Sequence, residues 1–182
     1  KSFPVNQTPV TTMHYGVAKN TAAAMLDITC QNIKIPYVWA QLSNVYGLNN
    51  QTSNIMSYAL SNLFQGRRAQ FGSGTQYYDL VSVYDVANAL YLLGAHANSK
   101  NSYFVGSGEP RPLKEYLLEI GKAMGDESLI GIGERPDDGL RFSENWFDIS
   151  DLKNDTGFST SASFEDNIRG IIQSYMPDVK SE

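Results

Sequence analysis

Tyr15-Gly16-Val17-Ala18-Lys19 opens an alanine-rich run that continues through Ala22-Ala23-Ala24 to Ile33. The run predicts a long helix over 15–33. That helix must end before Pro36, because a proline disfavours helical geometry in the residue before it, here Ile35. Four residues are about one turn, so the Tyr15 phenol and the Lys19 ammonium share a helix face. A phenol, with an ordinary pKa of about 10, is a poor acid or base near neutrality, and a fixed cation beside it favours the phenolate. The pair is therefore a candidate proton-transfer site.

Outward from this helix, the chain alternates. Tyr37-Val38-Trp39-Ala40-Gln41-Leu42 reads as a short apolar strand. Asn54 to Phe64 follows as a helix, with Ile55, Ala59 and Leu63 on one row and Met56, Leu60 and Phe64 on the next. Tyr78 to Val83 reads as a strand and Asp85 to Leu93 as a helix, with Asp85 suited to the cap. Leu113, Tyr116, Leu117, Ile120 and Met124 line another helical face. Ser163 and Asp166 make a capping pattern before the last helix, whose inward row is Phe164, Ile168, Ile171, Ile172 and Tyr175. This alternation predicts an α/β fold. A Gly/Pro/Asp-rich excursion runs from Gly131 to Gly139, and His96 reads as a helix-end residue.

The 182 residues are 42% hydrophobic and 18% charged, with a formal net charge of -5. That length fills a domain-sized core, and the acidic balance offers nothing to a polyanion, so no nucleic acid partner is expected. Ala22–Leu26 and Ala87–Ala95 are far shorter than the ~20 residues of a membrane span. No membrane partner is expected, and the composition suits a cytoplasmic protein. The single Cys30 cannot close an internal disulfide and reads as a buried helix residue. No Cys/His cluster suggests a metal.

Several short motifs stand in order: Lys1-Ser2-Phe3-Pro4 and Thr8-Pro9, then Tyr15-Gly16 with Lys19, then Leu42-Ser43-Asn44-Val45-Tyr46-Gly47. After these come Asp79-Leu80-Val81-Ser82-Val83-Tyr84-Asp85-Val86-Ala87 and Tyr103-Phe104-Val105-Gly106-Ser107-Gly108. The succession resembles the extended short-chain dehydrogenase/reductase family, in particular its nucleotide-sugar epimerases, dehydratases and reductases, and extends to about Met176. The resemblance implies the C-terminal part of a Rossmann-like doubly wound parallel sheet plus a smaller α/β substrate-binding subdomain. Residues 1–47 would end the dinucleotide-binding domain, and residues 48–182 would be mainly substrate-binding, with interleaved Rossmann elements. Such proteins open with a glycine-rich turn that receives the cofactor pyrophosphate at a helix N-terminus. Gly72-Ser73-Gly74 and Gly106-Ser107-Gly108 lack the third glycine and come after the Tyr/Lys pair. The expectation is a C-terminal portion of a longer enzyme, with a self-sufficient truncated homologue as the alternative.

By the same resemblance, Tyr15 exchanges a proton at a sugar hydroxyl or carbonyl, and Lys19 holds the nicotinamide ribose of NAD or NADP. Leu42 and Ser43 wall the nicotinamide. Asn44, Asn54, Ile55, Phe71, Tyr78 and Arg135 meet a nucleotide-sugar substrate, Arg135 reading the diphosphate through its planar fork with Arg141 as its competitor. Three positions depart from the pattern. Gln41 and Tyr78 stand where arginines are usual, and Leu48 replaces a common proline. Tyr78 removes a cation from the diphosphate side, leaving a phenol that can donate one hydrogen bond or stack on a ring. A reductase or epimerase is favoured over a dehydratase. The family's dimers pack this helix with its neighbour, and Ala18, Ala22 and Ala23 permit that approach, so a homodimer is expected. The alternative is a non-catalytic nucleotide-sugar-binding and dimerisation fragment.

Overall fold

The alanine-rich run forms helix α1, Met13–Ile33, in a computed structural model that describes residues 13–50, 52–96, 100–137, 139 and 142–175. The segments Ser2-Phe3-Pro4 and Thr8-Pro9, Arg141 and Met176 lie outside the described residues. By contacts the chain divides into two units, Lys1–Trp39 and Ala40–Glu182. In the first, Thr21 and Thr29 turn their hydroxyls back onto the carbonyls of Val17 and Met25 at 2.9 and 2.8 Å. The helix stops at Lys34, whose φ of 57° is left-handed, and the Ile35 N–H closes onto the Cys30 carbonyl at 3.0 Å. Pro36 follows directly, as expected of a residue that cannot continue a helix. Cys30 is buried, and the Tyr37 hydroxyl donates to Asp27 Oδ1.

The second unit is α/β, and the pairing that organises its strand ends is parallel. Strand β2, Asn44–Tyr46, runs parallel to β5, Leu80–Ser82, in the register Asn44 with Leu80 and Tyr46 with Ser82. Strand β1, Trp39–Leu42, joins β6, Ser102–Val105. Strand β3, Ala69–Gln70, lies parallel to β8, Ile130–Gly131; β4, Tyr77–Tyr78, is antiparallel to β7, Arg111–Pro112. Parallel neighbours need a crossover rather than a hairpin, and helix α2, Ile55–Leu63, lies within the β2-to-β5 connection. The remaining helices are α3, Val83–Ala95; α4, Leu113–Ala123; α5, Ser150–Thr156; and α6, Phe164–Tyr175.

The core follows from helical spacing. Met56, Ala59 and Leu63 of α2, Leu113, Tyr116, Leu117 and Ile120 of α4, and Ile168, Ile171 and Ile172 of α6 are all buried, with Tyr46, Phe71, Leu80 and Ile130 among them. Each buried aliphatic side chain contributes about 1.5–3 kcal/mol relative to exposure. The Phe164 ring sits edge-on to Tyr46 and Tyr116, with centroids at 5.2 and 4.8 Å. Ser163 caps α6 as expected, its hydroxyl accepting from the Asp166 N–H at 3.1 Å.

Local readings changed in three places. The expected strand 78–83 is broken at Asp79 into β4 and β5, and helix begins already at Val83. The cap of α3 is Ser82, whose hydroxyl accepts from the Asp85 N–H at 3.1 Å; Asp85 is buried one turn in and takes bonds from Ser82 and Ser161. Serine wins because it precedes the first helical residue with extended backbone, φ -69° and ψ 148°, as an N-cap must. Tyr175 is half-exposed as the last residue of α6, although its ring still meets Phe64 at 5.4 Å.

Candidate functional site

In the first unit, Tyr15 and Lys19 are one turn apart on α1, and the Lys19 ammonium lies 5.5 Å from the Tyr15 ring centroid. A cation held against a phenol ring is attracted by the ring quadrupole. Both side chains are exposed, Tyr15 at 72%, so the phenol is open to a reacting group.

In the second unit, Leu42, Ser43 and Asn44 occupy the junction between β1 and β2. Leu42 ends β1 and is exposed, and Asn44 begins β2 instead of ending the strand before it. Ser43 is fixed at both ends: its N–H donates to the Val105 carbonyl at 2.8 Å and its hydroxyl to the Asp79 carbonyl at 2.6 Å. The Asn44 N–H reaches that same carbonyl at 3.3 Å, while its side chain faces solvent.

Asp79, to which sequence reasoning assigned no role, anchors this junction. Its side chain is fully buried, and both carboxylate oxygens accept from the Ser107 N–H at 3.0 Å. The Ser107 hydroxyl and the Gly108 N–H add further bonds. Burial pushes the Asp79 carboxyl above its ordinary range, against the opposing pull of these bonds. Gly106 is required here because a Cβ would lie 1.9 Å from Asp79 Oδ2. The available signal was a single acid interrupting the apolar run Tyr77 to Val83.

A second cluster forms around the start of α2. Asn54 is its N-cap, accepting from the Ser57 N–H at 2.9 Å, while the Ser57 hydroxyl accepts from the Asn54 N–H at 3.0 Å. Ile55 is the first helical residue, where backbone N–H groups and the helix dipole favour an anion. One turn later, the Tyr58 hydroxyl accepts from the Gln70 N–H at 3.3 Å and from Arg135 Nη2 at 2.9 Å. The Arg135 guanidinium lies 5.0 Å from the Tyr58 ring centroid, and Phe71 meets that ring edge-on at 5.5 Å.

The segment bearing Arg135 is clamped along β3. The Arg135 N–H donates to the Phe71 carbonyl at 3.0 Å and the Gly133 N–H to the Gly72 carbonyl at 2.9 Å. Arg68 binds Glu134 next door at 2.5 Å. Tyr58 thus joins Phe71 and Arg135, one helical turn from the capped start at Asn54 and Ile55.

Tyr78 lies apart from these contacts, on β4 opposite Arg111, with its ring edge-on to Phe142 at 6.0 Å. Arg111 is itself committed, forking onto both carboxylate oxygens of Glu119 at 2.5 and 2.9 Å and stacking 4.3 Å from the Tyr116 centroid.

The two Gly-x-Gly turns are poor phosphate cradles. Asp79 fills the space at Gly106, and at Gly72 a Cβ would lie 2.4 Å from Asp137 Oδ1, which accepts from the Ser73 N–H at 2.7 Å. Carboxylates of the chain itself occupy both turns. These two turns do not fit the pyrophosphate of a dinucleotide. Among the described residues, no group of three or more His, Cys, Asp or Glu could hold a metal, and no helix is long and apolar enough to cross a membrane.

The profile of the NAD dependent epimerase/dehydratase family matches residues 3–106, from before α1 to Gly106 beside Asp79. The chain belongs to that family. Among solved structures, this epimerase/dehydratase chain resembles RMD from Pseudomonas aeruginosa complexed with NADPH, at 20% identity and a TM-score of 0.75 over 91% of this chain and 56% of that one. It resembles UDP-N-acetylglucosamine 4-epimerase from Bacillus cereus at 16% identity and a TM-score of 0.77, over 99% and 59%. The dTDP-glucose 4,6-dehydratase from Bacillus anthracis in complex with NAD aligns at 16% identity and a TM-score of 0.78, over 98% and 57%. These likenesses establish the Rossmann-like α/β fold. The chain spans 56% to 59% of the lengths of these three structures. By sequence, no curated protein matches it.

Proposed function

We propose that this chain carries the proton-transfer pair and the nucleotide-sugar-binding part of an NAD(P)-dependent epimerase, reductase or dehydratase. The supporting observation is the assembly of Phe71, Arg135 and the capped start of α2 around Tyr58. A helix N-terminus and an arginine fork together suit a diphosphate, while Phe71, buried in the core, backs the Tyr58 ring. The activities named for two of the similar structures, on UDP- and dTDP-activated sugars, support that substrate class.

In the proposed reaction, Tyr15 takes or returns the proton of a sugar hydroxyl as that carbon is oxidised or reduced. Lys19, on the same helix face, donates to the nicotinamide ribose. A bound nicotinamide dinucleotide supplies the hydride acceptor or donor. Leu42 offers an apolar wall to the nicotinamide, and Ser43, fixed by Val105 and Asp79, keeps that strand end in place. Asn44 offers its exposed amide to a substrate oxygen. Tyr78 contributes a phenol where a cation is usual, which favours a substrate-binding pattern of its own. Residues 1–47 complete the dinucleotide domain in this reading, and the whole protein works in the cytoplasm as a homodimer.

Calorimetry with UDP, CDP, GDP and dTDP tests the substrate side on this chain directly. We expect weak, salt-sensitive binding of at least one, about tenfold or more weaker in Arg135→Ala, as for loss of a charge-assisted bond. NAD(H) and NADP(H) should bind hardly at all. Tight dinucleotide binding would refute the division of roles, and no nucleoside diphosphate binding at millimolar concentration would refute the substrate site.

A further inference from the structure

Arg135 differs from Arg68, Arg111 and Arg169 in what its head group meets, and like Arg67, which binds the amides of Asn62 and Gln65, it meets neutral partners. Arg68, Arg111 and Arg169 each face a carboxylate, on Glu134, Glu119 and Glu165. The Arg135 guanidinium instead rests on a neutral phenol, donating to the Tyr58 hydroxyl at 2.9 Å with its carbon 5.0 Å from the ring centroid. Among the described residues, no carboxylate forms an ion pair with it. A guanidinium has five N–H donors in a planar fork, so one bond to Tyr58 leaves the others for an anion.

Tyr58 is in turn immobilised from three sides. It belongs to the second turn of α2, its hydroxyl also accepts from the Gln70 N–H at 3.3 Å, and Phe71 abuts its ring at 84°. The Arg135 backbone is bound to Phe71 at 3.0 Å, so both ends of the arginine are fixed against the same strand and helix. We infer that Tyr58 is a positioning residue for diphosphate recognition: it holds the Arg135 fork, still charged, beside the N-terminal turns of α2. The inference rests on the nucleotide-sugar site proposed above. An exposed arginine must otherwise surrender its rotamer freedom when the ligand arrives, and holding it beforehand removes that cost from binding.

The test is UDP calorimetry on the 182-residue chain as wild type, Tyr58→Phe, Arg135→Ala and the double variant, with thermal melts of each. Tyr58→Phe keeps the ring but removes the acceptor, and should bind UDP about two- to tenfold more weakly, the range for one net hydrogen bond. In the Arg135→Ala background the same substitution should cost nothing further, because the contact is already gone. A merely structural role would instead weaken binding by the same factor in both backgrounds. Arg135→Lys, which keeps the charge but cannot fork, should lose affinity and so reads the contact from the other side, even if a Tyr58 variant folds poorly. Wild-type affinity in Tyr58→Phe, or an undiminished loss in the double variant, overturns the inference while the Arg135→Ala loss leaves the nucleotide site standing. No UDP binding by the wild type, or equal binding by wild type and Arg135→Ala, overturns both.

Discussion

Replacing Asp79 with alanine removes the side-chain acceptor of the turn after β6, while the backbone carbonyl that holds Ser43 and Asn44 stays in place. The Ser107 and Gly108 N–H groups lose their partner, and the Ser107 hydroxyl is released. An unpaired buried donor costs about 1–3 kcal/mol. Ser107 and Gly108 are only partly buried, so water can reach them and the lower half of that range applies to each. The expected loss is about 2–4 kcal/mol, a large share of the roughly 5–15 kcal/mol that keeps a domain folded. With a urea slope of about 2 kcal/mol per molar, the midpoint should fall by about 1–2 M.

The pH dependence has a definite sign. Burial raises the Asp79 pKa in the folded protein, so between the ordinary carboxylate value and the raised one the folded state holds a proton that the unfolded chain has released. The stabilisation from that proton is full below the ordinary value and is lost as pH rises through the raised one. The margin of wild type over Asp79→Ala should therefore narrow as pH rises above the ordinary carboxylate value of about 4. Urea titrations followed by circular dichroism at several pH values measure both effects. A loss under about 0.5 kcal/mol, within the range of ordinary surface substitutions, or a margin that widens with pH, would refute the role given to this carboxylate.

In the whole protein, Tyr15→Phe should lower turnover of the nucleotide sugar by about 10²–10⁴, the usual loss for a general acid/base, with the fold unchanged by circular dichroism. Near-wild-type turnover would remove Tyr15 from the chemistry. Ala22 is exposed on α1, and light scattering should find a dimer of the whole protein at micromolar concentration that Ala22→Glu converts to monomer. A monomer indifferent to Ala22→Glu would count against assembly through this helix.

Local chemistry made much of this molecule readable without coordinates. The alanine run and Pro36 bound α1, the 3.6-residue spacing of Leu113, Tyr116, Leu117 and Ile120 named a core face, and Ser163 with Asp166 marked a helix start, because each signal acts within a turn or two of chain. The order of short motifs likewise pointed to the family whose profile matches residues 3–106. Tertiary structure alone decided the rest. Asp79 reads as any acid until the turn at Gly106, 27 residues later, folds over it and buries it among donors. Tyr58 reads as one more helix aromatic until β3 and the Arg135 segment arrive from 12 and 77 positions away. Burial and long-range pairing are properties of the closed fold: the energies that give these two side chains their roles come from groups far away in sequence, so no local pattern could encode them.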